Sequence, residues 1–425
     1  MSAALVVGLS EWFSADPRQP HLRELLDRLD PDPSRAEIRT AIQAGDAGRV
    51  RALVETLDGS TVPAWFAVSV GYHPMVPAEA AVQLMAAAWR SHPADYLLAY
   101  RIARRLDGLG DDRLGEMLAW ARVAVALRPD NPFAHVLLGD VWKQLHNGAE
   151  AESALRRAIQ LGGKYPKYVG AYFNLGNVLC DKGDLDGAEA SYRTAIAIDP
   201  SLVEPHYNLG LLIMKRGDLV GAEECLRKAV ALEPRDAGLL DVLNQIVRKR
   251  VRMGEFVAGR AEPASPEEEV EFAELAYRSP QRHCRLAVRF YSHALAAQSA
   301  LAEDLVKEHR YNAACSAALA AAGKDETMNG RGVEERSYLT GLALKWLRAD
   351  LAQRVSLASD PKKGQEVRER LSRWKKAPEL ATVRDPAWLG AMPPADRKAW
   401  AALWRDVEAL LASNAPPART PPAGP

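Results

Sequence analysis

The chain has 425 residues, and its 55 Lys and Arg balance 55 Asp and Glu, so no net basic or acidic field speaks for nucleic acid or a strongly charged partner. Its four cysteines, Cys180, Cys225, Cys284 and Cys315, lie far apart with no CxxC pair, which fits neither a metal site nor a disulfide framework and suits a reducing compartment. Nowhere do about 18 apolar residues run together, and the short stretch Ala3–Leu9 has no basic residues before it, so a cytoplasmic chain without a membrane span is expected.

From the N-terminus, Arg35–Leu57 and Glu79–His92 have amphipathic helical spacing and are separated by Pro63, Pro74 and Pro77. Asp95–Leu106, the turn Gly108-Leu109-Gly110 and Leu118–Asn131 then predict a helix pair, and Phe133–Leu161 a second one. Val169–Leu202 (VGAYFNLGNVLCDKGDLDGAEASYRTAIAIDPSL) and Val203–Asp236 (VEPHYNLGLLIMKRGDLVGAEECLRKAVALEPRD) overlay without a gap at a period of 34 residues. Leu175-Gly176 returns as Leu209-Gly210, Ala188 as Ala222, Tyr192 as Leu226, Ala195 as Ala229 and Pro200 as Pro234. In the preceding pair Leu138-Gly139, Ala151, Leu155 and Ala158 carry the same marks at an offset of 37, the three extra residues falling in the loop Gly163-Lys164-Tyr165-Pro166.

These marks resemble the tetratricopeptide (TPR) repeat, two antiparallel helices stacked on the next pair. Small Gly176 and Ala188 suit close helix packing, Ala195 suits the approach of the next repeat, and Pro200 ends the second helix. The resemblance implies an all-α, helical-hairpin solenoid, a right-handed superhelix with degenerate terminal repeats, whose concave groove binds a protein or peptide segment.

Beyond Asp236, Gly238–Met253 predicts a helix and Gly254–Glu269 a breaker-rich linker. Pro266–Arg278 with Gln281–Gln298, and His309–Gly323 with Val333–Leu351 across the loop Lys324–Gly332, predict two further pairs. Pro361–Lys375 and Pro394–Ala412 add final helices near Trp374, Trp388, Trp400 and Trp404, and the Pro-rich tail Asn414–Pro425 is expected to be disordered. The expected partition is degenerate helical repeats over 1–94, a degenerate repeat over 95–131, repeats over 132–168, 169–202 and 203–236, a helix and linker over 237–265, an Ala- and Trp-rich repeat-like module over 266–413 and a tail over 414–425.

A search for chemistry returns little. Gly162-Gly163-Lys164-Tyr165 lacks the earlier glycine and the following Ser or Thr of a phosphate cradle. His309 lies six residues before Cys315, yet that cysteine sits in an Ala-rich helix, where an inert buried thiol is the usual finding. His283, Cys284 and His293 lack metal-ligand spacing. No HExxH, GxSxG or kinase motif occurs, and neither catalysis nor a metal or cofactor is expected.

The groove is the better candidate. Asn174 and Asn208 share one position before Leu-Gly, and an Asn amide both donates to and accepts from an extended peptide backbone. Similar repeats in the O-GlcNAc transferase carry such a ladder, although this chain has no α/β nucleotide-sugar domain; an asparagine that spans neighbouring helices is the alternative, and Leu137 interrupts the series. Helical spacing adds Asp140, Lys143, Phe173, Asn177, Asp181, Tyr207, Leu211 and Lys215 to the groove. The carboxylate clamp of TPR cochaperones is not matched, since its positions hold Val136, Asp140, Phe173 and Glu204.

A narrower likeness is carried by AGRAEPASPEE (258–268), LAEDLVKEHRYNAACSAALAAAGK (301–324), ALKWLRADL (343–351), VRDPAWLGAMPPADRKAWAALWRDVEALLA (383–412) and RLDPDPSRAEIRTAIQAGD (28–46). These resemble the C-terminal region of large TPR-bearing serine/threonine protein kinases of planctomycete bacteria, in which a kinase domain precedes the array. The catalytic lysine and both functional aspartates have no counterpart here, so no kinase residue carries over. The expected function is a non-catalytic interaction scaffold; the alternative is the regulatory or substrate-docking part of a kinase, with the kinase or its substrates as partners.

Overall fold

The structure is a computed structural model that describes residues 20–162, 169–324, 333–358, 360 and 363–413. Among them every regular element is helical. The stretch Ala3–Leu9, the loop 163–166, most of the loop 324–332 and the tail 414–425 lie outside the described residues. The chain divides into two compact units, residues 1–208 and 209–425.

The first unit contains α1 (Pro20–Leu29), α2 (Pro33–Ala44), α3 (Ala47–Thr56), α4 (Ala64–Gly71), α5 (Ala78–Ser91), α6 (Tyr96–Leu106), α7 (Leu114–Leu127), α8 (Pro132–Gln144), α9 (Gly148–Gly162), α10 (Val169–Asp181), α11 (Leu185–Ile198) and the start of α12 (Val203–Lys215). Its main core runs from Leu26 on α1 to Leu137 and Val141 on α8. The predicted helix Arg35–Leu57 is in fact two. Gly45, at φ +71°, caps α2, and the Asp46 side chain accepts from the Arg49 N–H to start α3, so the chain turns where a continuous helix was expected. Likewise Leu118–Asn131 is corrected to α7: the helix starts four residues earlier and ends at Leu127, while the Asn131 side chain caps α8 by accepting from the Phe133 N–H.

Inside each clear repeat the turn chemistry repeats. Gly183 (φ +81°) and Gly217 (φ +84°) take the left-handed conformation that costs other residues a Cβ clash. The next residues, Asp184 and Asp218, cap α11 and α13 (Leu219–Leu232) by accepting from Gly187 N–H at 3.0 Å and Gly221 N–H at 2.9 Å. The Leu-Gly glycines mark close helix contact. A Cβ built on Gly139 would stand 2.7 Å from Leu155, on Gly176 2.5 Å from Tyr192 and on Gly210 3.0 Å from Leu226. Between repeats, His135 and His206 reach back six residues to the carbonyls of Pro129 (2.8 Å) and Pro200 (3.2 Å), tying each first helix to the loop before it.

The second unit continues with α14 (Ala237–Val257), α15 (Pro266–Arg278), α16 (Cys284–Ala297), α17 (Ser299–Glu303), α18 (His309–Ala321), α19 (Val333–Ala358), α20 (Gly364–Lys376), α21 (Pro386–Gly390) and α22 (Pro394–Ser413). Gly254, expected to open the linker, lies within α14, and the left-handed turn comes five residues later at Gly259. Phe256 packs edge-on against Phe272 (4.8 Å) and Phe290 (5.4 Å), and all three are buried. Truncating one such ring costs about 3–5 kcal/mol. Except for Arg310 and Tyr311, α18 is buried on every side, which its alanines permit by letting α16 and α19 approach closely. The buried Trp400 stacks on Trp404, whose indole N–H donates to the Val383 carbonyl at 3.1 Å, so this pair serves the core.

Candidate groove residues and the inter-repeat polar ladder

Three first helices carry the candidate residues: α8 holds Asp140 and Lys143, α10 holds Phe173, Asn174, Asn177 and Asp181, and α12 holds Tyr207, Asn208, Leu211 and Lys215. Because α8, α10 and α12 share the same Leu-Gly contact, these positions recur from repeat to repeat.

Within the first unit the polar members are joined. The Asn174 amide donates to Asp140 Oδ1 at 2.7 Å, and the Asn208 amide donates to Asn177 Oδ1 at 2.8 Å. Each bond links a residue before the glycine in one repeat to a residue one turn later in the repeat before it. The Tyr192 hydroxyl also donates to Asn177 Oδ1, at 2.7 Å, so α11 joins the same network. Asn174 and Asn208 thus span neighbouring helices. At the next step the acceptor position holds Leu211, which has no polar atom to take part.

Electrostatics set the other end. Burial pushes the Asp140 carboxyl up to about 6, with nearby Asp107 adding to the rise and Arg104 and Lys143 opposing it. Arg104 Nη1 stands 3.8 Å from Asp140 Oδ2. Burial likewise pushes the Tyr192 phenol well above its ordinary value, and its hydroxyl stays a donor.

The remaining candidates differ in setting. Phe173 is half-buried, its ring 6.2 Å from that of Tyr192 and tilted by 44°. Lys143 and Tyr207 are half-buried, and Asp181 is exposed at the last turn of α10. Leu211 and Lys215 belong to the second unit, Leu211 half-buried and Lys215 exposed at the end of α12. Sequence reasoning missed Arg104 and the hydroxyl role of Tyr192. Tyr192 stands where Leu226 and Leu155 stand in the neighbouring repeats, and that lone polar substitution was the available signal.

The catalytic candidates are set in the core. Cys315 and His309 are buried, and burial pushes the Cys315 thiol up, so it stays protonated and a poor nucleophile. Among the described residues no group of three or more His, Cys, Asp or Glu is placed to hold a metal ion. No helix among them is long and apolar enough to cross a membrane.

Known proteins supply a further comparison. Among curated proteins none matches this chain. The thermophilic TPR protein TTC0263 of Thermus thermophilus is 21% identical, covering 51% of this chain and 99% of its own, at a TM-score of 0.36. MamA from Desulfovibrio magneticus RS-1 is 22% identical over 38% of this chain and 88% of its own, at 0.34. YrrB, described as a TPR protein with an unusual peptide-binding site, is 22% identical over 39% of this chain and 82% of its own, at 0.32. A family model for the TPR repeat matches residues 176–217, from the glycine of α10 to the glycine that ends the turn after α12. Residues 176–217 of this all-α chain therefore carry a tetratricopeptide repeat.

Proposed function

We propose that the first-helix face of the repeats binds a segment of a partner protein and that the chain acts as a non-catalytic scaffold. Repetition carries this reading: Phe173 on α10 and Tyr207 on α12 stand at one repeat position, Asp140 on α8 and Asn177 on α10 at another, and Lys143 adds a partly exposed cation on α8. A row of this kind suits an extended or helical segment better than a compact small molecule. The asparagines act within the wall of the groove, holding the register of successive helices, while Phe173, Tyr207, Lys143 and Asp181 supply contacts. Affinity on the order of micromolar is expected for a single groove of this size. A cytoplasmic setting belongs to the same reading, supported by the wide spacing of the four cysteines, which have no CxxC pair.

Capture of partners from a native lysate on immobilised full chain, compared with Phe173→Ala/Tyr207→Ala, tests the proposal. Loss of specific partners with unchanged helicity is expected, and equal recovery of every partner removes the face from the account.

The likeness of the C-terminal segments to planctomycete kinases favours a second reading, in which the captured segment belongs to a serine/threonine kinase or its substrate. A kinase reading frame adjoining this one in the genome is the expected observation. Captured partners containing neither a kinase nor a kinase substrate would sink it.

A further inference from the structure

The degenerate repeat before the ladder carries a different set of side chains at the same places. Asp95 and Asn131 both cap their helices, and the offset of 36 between them puts Ala103 in line with Gly139, Arg101 with Leu137 and Arg104 with Asp140. Leu137 is in turn the counterpart of Asn174 and Asn208. Arginines therefore occupy both ladder positions on α6.

These arginines lack sufficient partners. The Nε of Arg101 is buried with nothing to donate to. Its guanidinium carbon instead lies 4.2 Å from the centre of the Tyr72 ring. The carboxylate that Arg104 meets is Asp140, at 3.8 Å, and Asp140 already accepts from Asn174 through its other oxygen. Tyr100 lies within electrostatic reach of both arginines. Tyr72 is 39% exposed and the Arg104 side chain 38%, so the cluster is open to solvent. Arg104 thus meets a carboxylate that is already engaged, and on Arg101 a buried donor is left without an acceptor.

We propose that Arg101 and Arg104, flanked by Tyr72 and Tyr100, form a subsite for the carboxylates of an acidic peptide segment belonging to a partner protein. The inference rests on the groove reading and extends it to α6, naming the chemistry of the bound segment. The Tyr72 ring holds the Arg101 guanidinium through a cation–π contact, and a guanidinium can take a carboxylate in a bidentate fashion that a lysine could not match. Asp140 beside Arg104 repels a phosphate dianion more strongly than a carboxylate, and the zero net charge of the chain gives no field for a polyanion.

Fluorescence anisotropy on the full chain tests this, using labelled peptides of eight glutamates or eight glutamines and an oligothymidine of equal length. Saturable binding of the glutamate peptide is expected, weakening with salt and weakened about tenfold by Arg101→Gln/Arg104→Gln, with a smaller loss for Arg101→Lys. Should the double variant lose helicity, Arg104→Glu alone provides the comparison at a half-exposed position. Equal binding by a folded variant, no saturable binding, or tighter binding of the oligothymidine overturns the proposal. Partner capture through Phe173 and Tyr207 is an independent readout: if it persists while the glutamate peptide fails, the acidic subsite alone falls, and if both fail the groove reading falls with it.

Discussion

The amide of Asn174 donates to the carboxylate of Asp140 across the step between two successive repeats, 34 residues apart in the chain and 2.7 Å apart in space. Its counterpart one repeat later joins Asn208 to Asn177 at 2.8 Å. These asparagines thus join the first helices of successive repeats. Removing one should therefore be felt first as lost stability. Asn174→Ala and Asn208→Ala are each expected to cost about 1 kcal/mol, more if the acceptor left behind cannot reach water. The two have separate acceptors, so the double variant should show the sum of the single losses in chemical denaturation.

Asp140 gives the ladder a pH dependence whose sign follows from its shift. An aspartate in an unfolded chain titrates near 3.9, whereas burial raises this one to about 6 in the fold. Between those values the folded chain holds more protons than the unfolded one, so stability falls as pH rises from about 4 to about 6 and stays lower above. Asp140→Asn keeps an oxygen for Asn174 and removes the charge. It should stabilise the protein by about 1 kcal/mol at pH 7 and by little at pH 3, less than the whole shift implies because the side chain is 22% exposed. Thermal melts at the two pH values check this.

Glycines separate tight contact from open helix. A Cβ on Gly176 meets the Tyr192 ring at 2.5 Å, so Gly176→Ala should destabilise by about 1–3 kcal/mol. Gly341, inside α19, has nothing within 4 Å of the same atom, and Gly341→Ala should instead stabilise by about 0.5–1 kcal/mol. Opposite signs in parallel denaturation curves are the expected result.

In the second unit, Asp350 and Arg354 form a buried pair at 2.6 Å, with side chains 2% and 3% exposed. Glu308 reaches Arg354 at 3.3 Å and Arg370 at 2.7 Å. Burial raises the Asp350 carboxyl, with Arg354 opposing the rise. Asp350→Ala should cost about 3–5 kcal/mol because it strips the nearest counter-charge from a buried guanidinium, whereas Asp350→Leu/Arg354→Met should recover most of that loss. A double-mutant cycle on urea unfolding measures the difference.

Much of this fold was legible because each TPR mark has one local cause. Gly176 and Ala188 act within a single helix pair, so a 34-residue period finds them. Pro266–Arg278 was read to the residue, since Ser265 caps it and Pro266 opens it. What escaped depends on distant partners. The break at Gly45-Asp46 looked like a continuous amphipathic stretch, α4 is too uniformly apolar to show a helical period, and the bond from Asn208 to Asn177 depends on how α12 meets α10. Arg101 and Arg104 escaped because only the caps at Asp95 and Asn131 align their degenerate repeat with the others.

The central claim is that the first-helix face, and not the outer one, receives a partner. A photo-cross-linking residue placed at Tyr207 or Lys143 on that face, and at exposed Ala197 on α11, tests it directly in native lysate. The account predicts the same partner adduct at Tyr207 and Lys143 and none at Ala197. Adducts of equal yield at all three positions, or at Ala197 alone, would contradict it.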